Sequence, residues 1–395
     1  MTATATTPAA PGTTARTMVA ATWRATRSPW VWKPAALGTA GLATATVALA
    51  RALTVPPQAA PVRPQWPLRV TIIRPGVIRL TGPAAAAEGT WGLEYSGGWG
   101  EVGPPLASNA DQAERPFTVL AGDAPLDGAK VRFHAHVWPD RETFSARTGI
   151  DGFDLTVEGE TGPLPAWVFP AGDGQRWAVL VHGRGAPMTQ LLRLVPRFAE
   201  RGITAMVISY RNDFPTCSDP SGMVHFGHRE WRDVEAAVAA ATDRGATSFI
   251  LGGMSMGGAL IAAFLRRSDL AASVVATVLD APALNWGPIL RHVARGRRIP
   301  QWIVPGVMAA AALYTRIDWA ALNHSVGAPR LSAPTLLIHG DRDTTVPVEL
   351  SDAYAEAEPD LVSYLRVPGA GHVCAWNHAT AEYEAALSRF LARIA

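Results

Sequence analysis

From residue 152 onward the chain alternates short apolar runs with stretches of helical period. Trp177-Ala178-Val179-Leu180-Val181, Ser248-Phe249-Ile250-Leu251 and Thr335-Leu336-Leu337-Ile338-His339 are near-continuous Val/Ile/Leu runs, and similar runs cover 203–210, 274–279 and 362–367. Runs of this length without polar alternation predict strands buried on both faces. Between them, helical spacing predicts helices over 190–201, 231–242, 349–356 and 380–394. A hairpin is expected from Phe153-Asp154-Leu155-Thr156-Val157 to Ala166-Trp167-Val168-Phe169, turning at 159–162. The pattern predicts a doubly wound, mostly parallel α/β sheet over 151–395, with reactive groups at the carboxyl ends of its strands.

Before residue 151 the pattern differs. Residues 68–150 break into short β-rich runs such as Val70-Thr71-Ile72-Ile73 and Gly76-Val77-Ile78-Arg79-Leu80, which predict a small β-rich accessory region. Residues 56–67 read as a Pro-rich linker. Residues 1–33 are rich in Ala, Thr and Pro with few large apolar residues, and are expected to be a disordered basic tail. The segment 34–55 is nearly uncharged and approaches the ~20 residues of a membrane span, with Arg24, Arg27, Lys33, Trp30 and Trp32 before it. It predicts an N-terminal membrane anchor with the body outside the cytoplasm. Its alternatives are a cleaved signal ending at Ala48-Leu49-Ala50 in a secreted protein and a tail on a cytoplasmic one; transit-peptide character ranks lower.

Charge and composition narrow the classes. Residues 1–87 carry nine basic and no acidic residues, so the remainder holds 26 basic against 33 acidic. That mildly acidic body offers no basic patch for nucleic acid. The two cysteines, Cys217 and Cys374, form no C-x-x-C pair and no zinc spacing, and no metal or cofactor is expected. Both follow predicted strands on the same side of the sheet, so a disulfide between them and two unpaired thiols are both open. His225 and His228, at i,i+3 without a carboxylate partner, read as surface or cleft-rim residues.

The candidate chemistry lies at the strand ends. Gly253-Met254-Ser255-Met256-Gly257 fits a G-x-S-x-G elbow, a sharp strand-to-helix turn in which small residues make room for a strained serine. A serine hydroxyl needs a base to accept its proton, and that base needs an acid to orient it. His372, in Pro368-Gly369-Ala370-Gly371-His372, and the pair Asp341 and Asp343, in His339-Gly340-Asp341-Arg342-Asp343, each follow a predicted strand. Their order is Ser…Asp…His, with 88 residues from Ser255 to Asp343 and 29 from there to His372. The longer gap leaves room for a cap over about 282–331, containing Trp286, Ile289, Trp302 and Trp319, with Arg291, Arg295, Arg297 and Arg298 on its first half. The cap's apolar face either buries itself or lines an acyl or aromatic pocket; its arginines read as a solvated face.

Over about 152–395 the chain resembles the α/β-hydrolase superfamily, in its bacterial esterase and serine-aminopeptidase-like branch. The resemblance rests on His182-Gly183-Arg184-Gly185, the elbow, His339-Gly340-Asp341-Arg342-Asp343 with Val346-Pro347, and Gly369-Ala370-Gly371-His372. Ser209-Tyr210-Arg211-Asn212-Asp213 and Glu230-Trp231-Arg232-Asp233 add to it. It implies Ser255, Asp343 and His372 as a catalytic triad, with Asp343 preferred to Asp341 because it fills the H-G-x-x-D position. It also implies an oxyanion hole from the backbone N–H groups of Met256 and Arg184, with Gly183 as the fallback for the latter. The Arg184 side chain is expected either to face the substrate or to be a solvated loop cation, and His182 to bond its own loop. The function expected is hydrolysis of a small carboxylic ester through an acyl-enzyme. Cleavage of short peptides or amides is one alternative, and a non-catalytic binding protein of the same fold is another.

Overall fold

The apolar runs of the second half assemble into one eight-stranded sheet. The computed structural model describes residues 39–56, 65–213, 216, 219–325 and 333–394. The tail expected over 1–33, most of the 56–67 linker and Cys217 lie outside the described residues.

Among the described residues the strands of this sheet are preceded by seven others: β1 (Leu68–Arg74), β2 (Val77–Thr81), β3 (Trp91–Tyr95), β4 (Gly98–Val102), β5 (Ala107–Ser108), β6 (Gln112–Gly122) and β7 (Lys130–His134). They pair in the order β2-β1-β7-β3-β4-β6-β5, and β2 also pairs with β6. The extra pairing closes six strands on themselves, which removes exposed edges from a small sheet. Leu68, Val70, Leu80, Leu93 and Val131 fill its interior.

The large sheet comprises β8 (Phe153–Gly159), β9 (Gly162–Phe169), β10 (Arg176–Val181), β11 (Thr204–Ile208), β12 (Ser248–Met254), β13 (Val274–Asp280), β14 (Thr335–Gly340) and β15 (Val362–Val367). Their order is β15-β14-β13-β12-β10-β11-β9-β8. β8, β9 and β11 pair antiparallel, as the hairpin pattern predicts, and the pairs from β11 through β15 are parallel. The central strands β10, β11 and β12 are buried almost throughout, which explains their lack of polar alternation.

Among the described residues ten helices flank these sheets: α1 (Thr39–Thr54), α2 (Arg141–Thr148), α3 (Val195–Ala199), α4 (Trp231–Thr242), α5 (Met256–Arg267), α6 (Trp286–Gly296), α7 (Val304–Thr315), α8 (Glu349–Ala357), α9 (Ala375–His378) and α10 (Thr380–Arg393). α4, α5 and α8 share a core with one face of the large sheet; α3 and α10 cover the other. The helix predicted over 190–201 is instead a 3-10 turn, Met188–Leu191, followed by α3. Pro196 lacks an N–H and is tolerated only in a first turn, so the helix restarts there. The cap is α6 and α7, and its four arginines are exposed as expected.

The expected membrane anchor over 34–55 finds no support among the described residues, which begin at 39. No helix among the described residues is long and apolar enough to cross a membrane. The 16 described residues of α1 span about 24 Å at ~1.5 Å per residue. Instead α1 packs on α7, with Ala50, Val307 and Ala311 forming a small buried cluster. The Ala/Thr/Gly composition that mimics a weak membrane span lets the two helices approach closely, as where Thr46 faces Gly306. The placement of the body outside the cytoplasm rested on that anchor and loses its basis.

Candidate active site

The site is built where β10, β12, β14 and β15 end. At the end of β12, Ser255 takes φ 52°, ψ −116°, a conformation ordinary L-residues avoid. The turn is held because Ser255 N–H donates to Asp280 O (2.9 Å) while Ser255 O accepts from Gly258 N and Ala283 N (3.0 Å each). The flanking glycines are required by space: a Cβ on Gly257 would sit 2.2 Å from Val181 O, and one on Gly253 2.7 Å from the Gly257 backbone. Ser255 is therefore pressed up at the start of α5, with its hydroxyl open to the cavity above.

His372, after β15, reaches this hydroxyl: Nε2 lies 2.8 Å from Ser255 Oγ. Its other nitrogen, Nδ1, lies 2.6 Å from Asp343 Oδ2. These distances assign the proton to Nδ1, leaving Nε2 to accept from the serine. Burial disfavours the imidazolium, but the Asp343 charge and hydrogen bond outweigh it and raise the His372 pKa. Burial likewise pushes the Asp343 carboxyl up. The adjacent His372 and the hydrogen bonds from His339 and His372 reverse that and hold it well below the usual carboxylate range. Backbone N–H groups of Thr345 (2.7 Å) and Val346 (2.9 Å) donate to its other oxygen. Asp341 is not in this chain of contacts; its Oδ1 accepts from Gly369 N–H at 2.7 Å and braces the loop before His372.

The loop after β10 lies directly over the elbow, so close that a Cβ on Gly183 would be 3.3 Å from Ser255 Cβ. Gly183 N–H donates to Gln190 Oε1 (3.0 Å), and its carbonyl accepts from Tyr210 OH (3.1 Å). Both expectations for the Arg184 side chain are corrected. It neither reaches for substrate nor floats in solvent, but donates through Nη2 to Leu53 O and Val55 O (2.8 Å each) at the end of α1. His182 bonds its own loop, as expected, through Nδ1 and Gly183 O at 2.9 Å, and its Nε2 lies 3.1 Å from Asp213.

Other singled-out residues serve structure. His225 is not at the surface: it is fully buried, because Glu230 accepts from both His225 N–H and Gly227 N–H and folds their loop inward. His228 is half-buried, and among the described residues no group of three or more His, Cys, Asp or Glu is placed to hold a metal. Arg211 is locked to Asp233, with Nη2 to Oδ1 at 2.6 Å and Nε to Oδ2 at 2.9 Å, so that motif ties β11 to α4. Cys374 is buried with its thiol on His372 O (3.2 Å), and burial pushes it up to about 12.

Two groups at the site escaped the sequence reading. His339 donates through Nε2 to Asp343 Oδ2 (3.0 Å) while its Nδ1 takes the Ser351 hydroxyl (2.7 Å). Its place two residues before Asp341 inside the H-G-x-x-D match was the signal available. Asp280, buried at the end of β13, is raised by desolvation, and its proximity adds to the upward shift of His372. No local pattern marks it, since its neighbours are brought by the sheet.

Above Ser255 is a cavity of about 1110 Å³, larger than the ~300–1,000 Å³ of ordinary small-molecule sites. α6 and α7 supply Trp286, Ile289, Val293 and Val307 to its wall. The β-rich region contributes Glu88 and Trp91, and α1 contributes Leu49 and Leu53.

A mostly parallel eight-stranded sheet, an elbow serine after its fifth strand and an acid and a histidine after the last two define the α/β-hydrolase fold. The model of the alpha/beta hydrolase family matches residues 178–386, more than half of the chain, and the chain belongs to that family. An esterase of Pyrococcus furiosus aligns over 63% of this chain and 93% of its own, at 19% identity and a TM-score of 0.50. A thermophilic esterase from Thermogutta terrifontis, with malate bound, aligns over 61% and 99% at 18% identity and a TM-score of 0.46. Est1E from Butyrivibrio proteoclasticus aligns over 61% and 98% at 16% identity and a TM-score of 0.46. At 19% identity the likeness to the Pyrococcus furiosus esterase is one of fold.

Proposed function

We propose that the protein is a serine hydrolase that cleaves small carboxylic esters through an acyl-enzyme, with Ser255, His372 and Asp343 as its triad. The observation that carries this reading is the continuous line from Ser255 Oγ to His372 Nε2 (2.8 Å) and from His372 Nδ1 to Asp343 Oδ2 (2.6 Å), on a serine held at positive φ. His372 accepts the serine proton as Oγ bonds to the substrate carbonyl carbon. The carbonyl oxygen becomes an oxyanion and is met by the N–H groups of Met256 and Arg184. Gly183 is a poor alternative donor because its N–H is already committed to Gln190. His372 then protonates the leaving alcohol as the C–O bond breaks. A water, deprotonated by the same nitrogen, attacks the acyl-enzyme, releasing the acid and restoring Ser255.

A peptidase or amidase would use the same atoms, so kcat/KM on p-nitrophenyl esters against aminoacyl anilides separates the two. A fluorophosphonate probe tests catalysis itself. It should label the wild type and leave Ser255→Ala unlabelled. No labelling of the wild type, or equal labelling of both, overturns the hydrolase reading and favours a binding protein.

A further inference from the structure

One wall of the cavity is supplied from outside the 178–386 segment that defines the family. Leu49, Ala52 and Leu53 of α1 line it, and their i, i+3, i+4 spacing puts them on one helical face. The last carbonyls of an isolated helix have no partners, yet here two of them, and that of the residue just after, are met by the hydrolase body. Arg184 Nη2 donates to Leu53 O and Val55 O, and Val224 N–H donates to Thr54 O, all at 2.8 Å. The Thr54 hydroxyl also meets Tyr314 OH of the cap at 3.0 Å. A guanidinium at the negative end of a helix is a favourable placement. Arg184, whose N–H is the assigned oxyanion donor, is thus also the clamp that seats α1.

The geometry of acyl transfer orients a substrate in this space. The departing oxygen must lie within reach of His372 Nε2, which protonates it. The residues lining the cavity near the His372 loop include the polar Glu88 and His378 beside Trp91, whose ring meets that of His378 at 6.0 Å. The acyl substituent projects away from the leaving group. That side, past Arg184 and Phe226, is walled by Trp286, Ile289 and Val307 of the cap together with Leu49 and Leu53.

We propose that α1 is a specificity element: with the cap it encloses an aliphatic acyl chain of medium length, while a polar alcohol lies against the β-rich region. This rests on the ester-hydrolase reading above.

The test measures kcat/KM for p-nitrophenyl acetate, butyrate, octanoate and laurate, which share a leaving group and vary only the acyl chain. Burial of each added methylene predicts a gain of up to roughly fourfold until the lobe is full. Leu49→Trp narrows the lobe and should lower the octanoate-to-acetate ratio at least tenfold. Leu53→Ala lengthens it and should move the optimum towards laurate. Val47→Trp, on the exposed face of α1, should leave the ratio within twofold. An octanoate-to-acetate ratio unchanged by both Leu49→Trp and Leu53→Ala overturns the proposal, as does a wild-type profile that does not rise beyond acetate. Either result with normal fluorophosphonate labelling of Ser255 refutes the role of α1 alone; absent labelling refutes the hydrolase reading itself.

Discussion

Replacing Asp343 by asparagine probes the site where its parts depend on one another. The carboxylate oxygen Oδ2 faces two ring N–H donors, His372 Nδ1 at 2.6 Å and His339 Nε2 at 3.0 Å. An amide of the same shape removes the charge that stabilises the imidazolium. If its NH₂ faces His372, the ring turns to the tautomer whose Nε2 carries a proton and cannot accept one from Ser255. A comparable loss of the orienting acid lowers kcat by ~10⁴ in a well-characterised serine hydrolase, or ~5.5 kcal/mol at ~1.36 kcal/mol per decade. We expect a fall of about 10³–10⁴ in kcat for p-nitrophenyl butyrate, with KM changed little.

The same variant has a pH signature. His372 must be neutral to act as base, so kcat/KM falls as pH drops through its pKa, which Asp343 holds above the ordinary histidine value. Asparagine removes that influence and leaves burial, which favours the neutral ring, opposed only by the smaller effect of Asp280, so the acidic limb should move to lower pH. Asp341→Asn is the internal comparison: its amide oxygen can still accept from Gly369 N–H, only the charge beside Arg342 Nε (3.9 Å) is lost, and kcat should stay within about threefold. A loss under tenfold in Asp343→Asn, or an equal loss in Asp341→Asn, would refute the assignment of the acid.

Ser255→Gly should be more stable to denaturant than Ser255→Ala by about 1 kcal/mol, because glycine adopts φ 52°, ψ −116° without the Cβ clash; equal midpoints would show the turn to be unstrained. Gly257→Ala places a Cβ 2.2 Å from Val181 O, a backbone atom with little freedom, and should cost more than about 2 kcal/mol in urea unfolding. Arg184→Ala removes the donor to Leu53 O in α1 and to Val55 O just after it and should speed amide exchange within 41–54; unchanged exchange would mean the helix is seated by packing alone. Cys374, with its thiol pushed up to about 12, should resist iodoacetamide in the native protein at pH 8 and react once unfolded, as read by peptide mass.

The large sheet was legible because its strands are buried on both faces, which imprints unbroken Val/Ile/Leu runs on the chain. The elbow was legible because close approach of β10 and α5 leaves no room for side chains at Gly253 and Gly257. The segment 34–55 was ambiguous for the opposite reason. A run of Ala, Thr and Gly has the same hydropathy whether it enters lipid or packs against another helix, and only the presence of α7 beside Ala50 distinguishes the two. His225 misled similarly, since its burial comes from a carboxylate five residues away that the local pattern does not weigh.

By itself the sequence determined the kind of sheet, the order Ser255, Asp343, His372 and the strand ends that carry them, because periodicity and turn chemistry are local. Tertiary structure decided which carboxylate meets His372, that Gln190 occupies the Gly183 N–H, and that His339 and Asp280 stand beside the acid and base. It also turned the small-residue helix α1 into a wall of the cavity over Ser255. Some of those contacts are short in sequence, four residues from His339 to Asp343 and seven from Gly183 to Gln190. Others span 29 from Asp343 to His372 and 131 from Leu53 to Arg184. All are set by how loops fold, strands register and helices pack, which hydrophobic periodicity does not encode.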